Sequence, residues 1–134
     1  MAVIPTMVNV KRDMSTRLAN LELTGLLEVD GIIHAPTVIS GDGAITVTPS
    51  TIALTKGSAA AITIAAPTAA QDGYQIRVYT ETAFAHVVTC ATDGFNNKGS
   101  SGTVTLTAAK GNGFLIMARN GHWWVVQTLG ATVA

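Results

Sequence analysis

The stretch "MARNGHWWVV", Met117 to Val126, decides how this chain is read. An Asn-Gly pair between two apolar runs is the strongest short-range signal for a two-residue β-hairpin of type I′, because both central positions need positive φ. Phe114 to Arg119 is therefore one strand and His122 to Thr128 its antiparallel partner, joined by Asn120 and Gly121. Such a turn fixes the register. Arg119 faces His122, Ala118 faces Trp123, Met117 faces Trp124 and Ile116 faces Val125. The two adjacent tryptophans thus point to opposite sides. One side carries Ala118, Trp123, Ile116 and Val125; the other carries Met117, Trp124, Leu115 and Val126, with Arg119 and His122 at its tip. A hairpin that is apolar on both sides needs cover on both sides. One side packs on the domain's own core, and the other calls for a second surface.

Working outward, the chain from about Gly43 onward reads as strand, turn, strand. Candidate strands are Ala44 to Thr48, Thr51 to Thr55, Ala60 to Ala65, Tyr74 to Thr80, His86 to Ala91 and Thr103 to Thr107, followed by the hairpin. They are rich in Val, Ile and Thr, whose stiff χ1 suits a pleated surface better than a helix. Between them lie "TPS", "TKGS", "AQDG", "DGFNNKGSSG" and "AKGNG", each built from turn-forming residues. Many short strands at this spacing predict an all-β fold, an antiparallel β-sandwich or jelly-roll-like domain over residues 41–134.

Residues 1–40 differ. They hold the basic cluster Lys11, Arg12 and Arg17, then apolar pieces such as "LELTG", "LLEVDG" and "IIHAP" cut by Gly or Pro. A short helix over Ser15 to Leu23, with Ser15 as N-cap, is compatible with the pattern. Pieces this short do not bury one another, so the segment reads as an extended N-terminal arm held by neighbouring copies or another protein. Its expected contact residues are Lys11, Arg12, Arg17, Leu26, Ile32 and Ile33, joined by Arg119 and Trp124 of the hairpin.

Charged residues make up only 12% of the chain, the formal net charge is +0, apolar residues reach 48% and the mean hydropathy is +0.38. A protein that stays apart from its copies normally relies on scattered charge, so the composition points to stable association. Neutral charge argues against a broad nucleic-acid surface, which needs clustered Lys and Arg. No apolar run has the length of a membrane span, and "MAVIPTMVNVKRDM" lacks the basic start and apolar stretch of a secretory signal. Synthesis in a cytoplasm, without a membrane partner, is expected.

A search for catalytic or metal chemistry yields little. His34, His86 and His122 share no ligand spacing, and neither a G-x-S-x-G elbow nor a phosphate loop occurs. Asp42, Asp72 and Asp93 each precede Gly, which is turn chemistry. The lone Cys90, within "HVVTCA", reads as a buried structural thiol. No cofactor and no enzymatic activity are expected. The loop "TDGFNNKGSSG" is the one candidate ligand element, long and polar with a single aromatic, so Phe95, Asn96 and Asn97 are its candidate contact residues.

The runs "AITIAAPTAAQDGYQIRVYTETAFAHVVTC" and "GFNNKGSSGTVTLTAAKGNGFLIMARNGHWWVVQ" resemble a β-domain of structural proteins of tailed bacteriophages. The matching positions are Ala66, Pro67, Thr68 and Ala69 in one turn, Asp72 and Gly73 in the next, and Ala85, His86, Val87 and Thr89 in a strand. Asn120, Gly121, Trp123 or Trp124, and Val125 match the final hairpin. The resemblance covers roughly residues 60–128 and implies a capsid decoration (cement) protein, a head fibre or a tail-associated protein. The Gly-punctuated arm also resembles the interwoven bases of trimeric phage fibres and spikes. The expectation is a non-enzymatic virion protein on the capsid surface, a homotrimer that grips the major capsid protein and stabilises the shell. One tryptophan would fill the core and Trp124 would lie at an interface. The alternative is a receptor-binding or carbohydrate-binding fibre protein whose Phe95 loop meets a host surface glycan. A sugar-cleaving tail spike would need paired carboxylates, and acidic residues here are sparse.

Overall fold

The computed structural model of the chain describes residues 35–134. Among the described residues ten strands are formed: β1 (Thr37–Ile39), β2 (Gly43–Ile45), β3 (Ser50–Leu54), β4 (Ala61–Ile64), β5 (Gln75–Thr80), β6 (Val87–Cys90), β7 (Gly102–Leu106), β8 (Gly113–Arg119), β9 (His122–Leu129) and β10 (Ala131–Val133). A 3-10 turn spans Ala69–Gln71. The strands build two five-stranded sheets, sheet I in the order β1-β3-β5-β8-β9 and sheet II in the order β10-β7-β6-β4-β2. The inner faces pack together through Ile52, Leu54, Ile76, Val78, Phe114, Ile116 and Trp123 on one side and Ile62, Ile64, Val88, Val104 and Leu106 on the other. The all-β sandwich predicted from the sequence is present.

The strand pairing departs from the antiparallel expectation. β1, β3 and β5 are neighbours and run parallel, as do β2, β4 and β6. From β1 to β6 the chain alternates between the sheets, so each successive pair of strands lays one rung on each. Parallel neighbours need a long crossover connection; here the crossover is a strand of the opposite sheet, and three coils stack side by side. Antiparallel pairing begins only with β6–β7, β5–β8, β8–β9 and β7–β10. β1 lies within the stretch assigned to the arm, yet it pairs with β3.

The hairpin has the anticipated geometry. Asn120 and Gly121 take φ of 52° and 75°, and the pairs Arg119–His122, Ala118–Trp123, Met117–Trp124 and Ile116–Val125 all form. Beyond Ile116 a bulge shifts the register, so Leu115 pairs with Gln127 and not with Val126. Asp72 Oδ1 accepts the Asn120 N–H at 2.7 Å, which ties the hairpin tip to the turn after the 3-10 segment. β9 then crosses to sheet II at Gly130, φ 57°, and becomes β10.

Candidate functional site

The two outer faces of the sandwich differ in chemistry. On sheet II the register lines up Ala44, Thr63, Thr89 and Thr103 in one row and Ala61, Val87, Thr105 and Thr132 in the next. Small side chains and hydroxyls make this an ordinary solvated face. On sheet I the rows read Val38, Ala53, Tyr79, Gly113 and Leu129; then Thr51, Arg77, Leu115 and Gln127; then Gln75, Met117 and Trp124. Val38, Val126 and Leu129 are 59%, 56% and 63% exposed and Trp124 38%. Ala53 is nonetheless fully buried, beneath its cross-strand neighbours. Of the two sheet faces, sheet I therefore carries the exposed large apolar side chains, and Phe84, 40% exposed, stands apart in the connection between β5 and β6.

The adjacent tryptophans divide as their alternation requires. Trp123 is completely buried, and its Nε1–H donates to Ala65 O at 2.8 Å, so the indole reaches the core without an orphaned donor. Trp124 lies on the outer face of sheet I, with Nε1–H directed to Arg119 O at 3.3 Å. Arg119 is exposed at the hairpin tip. His122 is half-buried, with Nδ1 3.9 Å from Asp93 Oδ2.

Two hollows of about 230 Å³ each flank Leu115 on this face. One is lined by Tyr79, Leu115, Gln127, Leu129 and Gly113. A Cβ there would collide with the Val78 carbonyl oxygen, so the glycine is required by close approach of the strands. The other is bounded by Pro49, Thr51, Gln75, Arg77 and Leu115.

The polar loop expected to present Phe95 to a ligand does the reverse. Phe95 is 2% exposed, bridges to Trp123 and meets the Phe114 ring edge-on at 6.5 Å. The aromatic is a core plug, because burying it removes more apolar surface from water than displaying it would. Asn96 and Asn97 follow with φ of 58° and 56°, a backbone region that Asn tolerates. The Asn96 N–H donates to Trp123 O at 2.7 Å and Asn96 Oδ1 accepts the Val125 N–H at 2.8 Å, so the loop covers the outer edge of β9. Edge strands left open invite pairing with other chains. Asn97 and Lys98 remain at the exposed loop tip.

A buried polar cluster centres on His86, a residue whose place at the start of a strand already reads as buried and hydrogen-bonded rather than as a base. His86 is fully buried; its Nδ1 accepts the Ala60 N–H at 3.1 Å and its Nε2 lies 2.9 Å from Thr82 Oγ1. Thr82 Oγ1 donates to Lys56 O at 3.0 Å, so it accepts from His86 Nε2–H and the ring is neutral in this tautomer. Burial, and then the nearby Lys56 charge, hold the His86 pKa below its ordinary value. The exposed Asp42 carboxylate takes Lys56 Nζ at 2.7 Å and the Ala61 N–H at 2.8 Å, and both hydrogen bonds lower its pKa. The Cys90 thiol is buried, which raises its pKa, and it donates to Thr92 O at 2.9 Å.

Lys11, Arg12, Arg17, Leu26, Ile32 and Ile33, together with the Ser15 to Leu23 segment, lie outside the described residues. Among the described residues no three of His, Cys, Asp and Glu gather in a metal-binding group, and no helix is long and apolar enough to cross a membrane. No protein-family model and no curated protein matches the chain.

Proposed function

We propose that this chain is a non-enzymatic structural protein of a tailed-bacteriophage virion, a capsid decoration protein that binds the assembled head and stabilises the shell. The observation that carries the reading is the outer face of sheet I, where Trp124, Val126, Leu129 and Val38 are exposed on a protein with few charges. Exposed apolar groups gathered on one face mark a protein-contact surface. The resemblance of residues 60–128 to phage β-domains supplies the kind of assembly, the resemblance of the arm to trimeric fibre bases supplies the homotrimer, and the dry composition supports stable association. A protein that binds the closed lattice but not its separated subunits shifts the shell toward the assembled state by mass action.

Co-sedimentation of the purified chain with intact heads, and separately with free capsid subunits, of the encoding phage tests this. Binding to heads alone is the expected result; binding to neither overturns it. The glycan-binding alternative has lost its aromatic platform, since Phe95 is enclosed in the core.

A further inference from the structure

We propose that the segment 25–33 adds one more coil to the stack, with residues 25–27 running parallel to the outer edge of β1 and residues 31–33 parallel to the outer edge of β2. Such a coil would be present whether or not the chain is a virion protein. Among the described residues β1 and β2 each have a strand neighbour on one side only, so both sheets end on open strands at the same margin. An open edge presents backbone N–H and C=O groups that call for a partner. In a stack each coil contacts only its neighbours, so the end coil is the one that needs a cap. A hollow of about 300 Å³ lies at this margin, lined by Ile39 of β1, Ile45 of β2 and Ile52 of β3. At the far margin of sheet I, by contrast, Asn96 covers β9.

The sequence names the occupant. The stretch "LLEVDGIIHAP", residues 26–36, repeats the pattern of "VISGDGAITVTP", residues 38–49. Asp30, Gly31 and Ile33 recur twelve positions later as Asp42, Gly43 and Ile45, and Leu26 and Leu27 recur as Val38 and Ile39. The second copy of the pattern is the coil made by β1 and β2: Val38 and Ile39 end β1, Asp42 makes the corner and Gly43 opens β2. Pro49 stands immediately before β3, as Pro36 stands immediately before β1. A unit repeated at fixed spacing is how stacked architectures are written in a chain. The described residues begin at 35, beside the entry of β1, so the segment reaches the fold at the margin it would cover.

The shift of twelve also sets the register. It puts Leu27 beside Ile39 and Ile33 beside Ile45, two residues whose side chains pack in the core. Leu27 and Ile33 then close the hollow from the two sheets. Leu26 falls beside Val38 and Ile32 beside Ala44, both exposed on the outer faces. The corner chemistry repeats as well. Asp42 Oδ1 accepts the Ala61 N–H at 2.8 Å, and Ala61 precedes Ile62, the strand partner of Gly43. With Gly31 beside Gly43, Asp30 stands in the same relation to the Asp42 N–H.

Disulfide trapping in the full-length chain tests this. Neighbouring strands lie ~4.8 Å apart, within disulfide reach. Leu26→Cys/Val38→Cys and Ile32→Cys/Ala44→Cys are therefore each expected to close within one chain on mild oxidation, read by intact mass and free-thiol content. Leu26→Cys/Ala44→Cys sets its thiols on opposite outer faces and is expected to stay reduced, and native Cys90 is buried. A loose segment would close all three pairs alike, and a segment engaged elsewhere would close none; either outcome overturns the coil. Links between chains would show that another copy supplies the strands, and overturn it too. Urea midpoints give a second reading, since Leu27→Asp and Ile33→Asp should each lower the midpoint while the outward Ile32→Thr leaves it in place. A midpoint indifferent to both Asp substitutions also overturns the proposal.

Discussion

His86 Nδ1 accepts the backbone N–H of Ala60 at 3.1 Å, joining the start of β6 to the start of β4 inside the sandwich. A proton on Nδ1 would turn that acceptor into a second donor facing an N–H. The ring therefore stays neutral in the folded protein to lower pH than in the unfolded chain, in line with its depressed pKa.

The stability consequence follows by linkage. Above the unfolded value of about 6.5 both states carry a neutral ring and His86 contributes no pH dependence. Below it the unfolded state binds a proton that the folded state refuses, so stability falls as pH drops from there toward the folded value. Urea midpoints should decline over that window, before the Asp42 carboxylate, which its hydrogen bonds to Lys56 and Ala61 hold below the ordinary carboxylate value, begins to protonate. His86→Gln should flatten the decline. A wild-type midpoint constant through the window would contradict the neutral assignment.

Asn96 closes the outer edge of β9 through its backbone and its side chain. Replacing it with Ala removes the acceptor for Val125 N–H and places an unfavoured residue at φ 58°, a combined cost of about 1–3 kcal/mol. Equilibrium unfolding reads the loss, and hydrogen exchange should show the Val125 amide exchanging faster than in wild type. Unchanged protection at Val125 would mean that the edge is covered by other groups.

Phe95 separates the core from the ligand reading. Phe95→Ala should cost about 3–5 kcal/mol as a buried aromatic is removed and a cavity remains, with Phe95→Leu milder. A contact residue on an exposed loop would instead cost little stability when truncated. An Ala variant as stable as the parent would return the side chain to the surface.

How far the fold was legible turns on where local chemistry dictates pairing. Asn120-Gly121 fixes a hairpin through two positive φ angles, so four cross-strand pairs and the split between Trp123 and Trp124 could be read directly. The bulge after Ile116 could not, because nothing in "VVQT" signals an extra residue. The parallel coils were hidden for a different reason. Ala61–Ile64 alternates as an antiparallel strand does and Ser50–Leu54 ends on three consecutive buried apolar residues, and neither pattern names the partner, which is set by tertiary packing across the sandwich. β10 was invisible since Ala131–Val133 reads as a tail until Gly130 carries it to the other sheet. Phe95 misled for a simple physical cause: polar neighbours describe a loop's solvent side, while one aromatic among them is free to turn inward.

Trp123 and Trp124 are one residue apart and answer to different environments, which fluorescence can separate. In Trp124→Phe the remaining emitter is Trp123, fully buried and hydrogen-bonded to Ala65 O, so its emission should be blue-shifted and poorly quenched by acrylamide. In Trp123→Phe the remaining emitter is Trp124, and the substitution also shrinks a core side chain, so stability should drop by about 1–3 kcal/mol. If sheet I is the subunit interface, quenching of Trp124 depends on protein concentration: shielded when oligomeric, accessible on dilution below the dissociation constant. If Trp124 is quenched equally at all concentrations in a preparation that light scattering shows to be oligomeric, the outer face of sheet I is not where the copies meet.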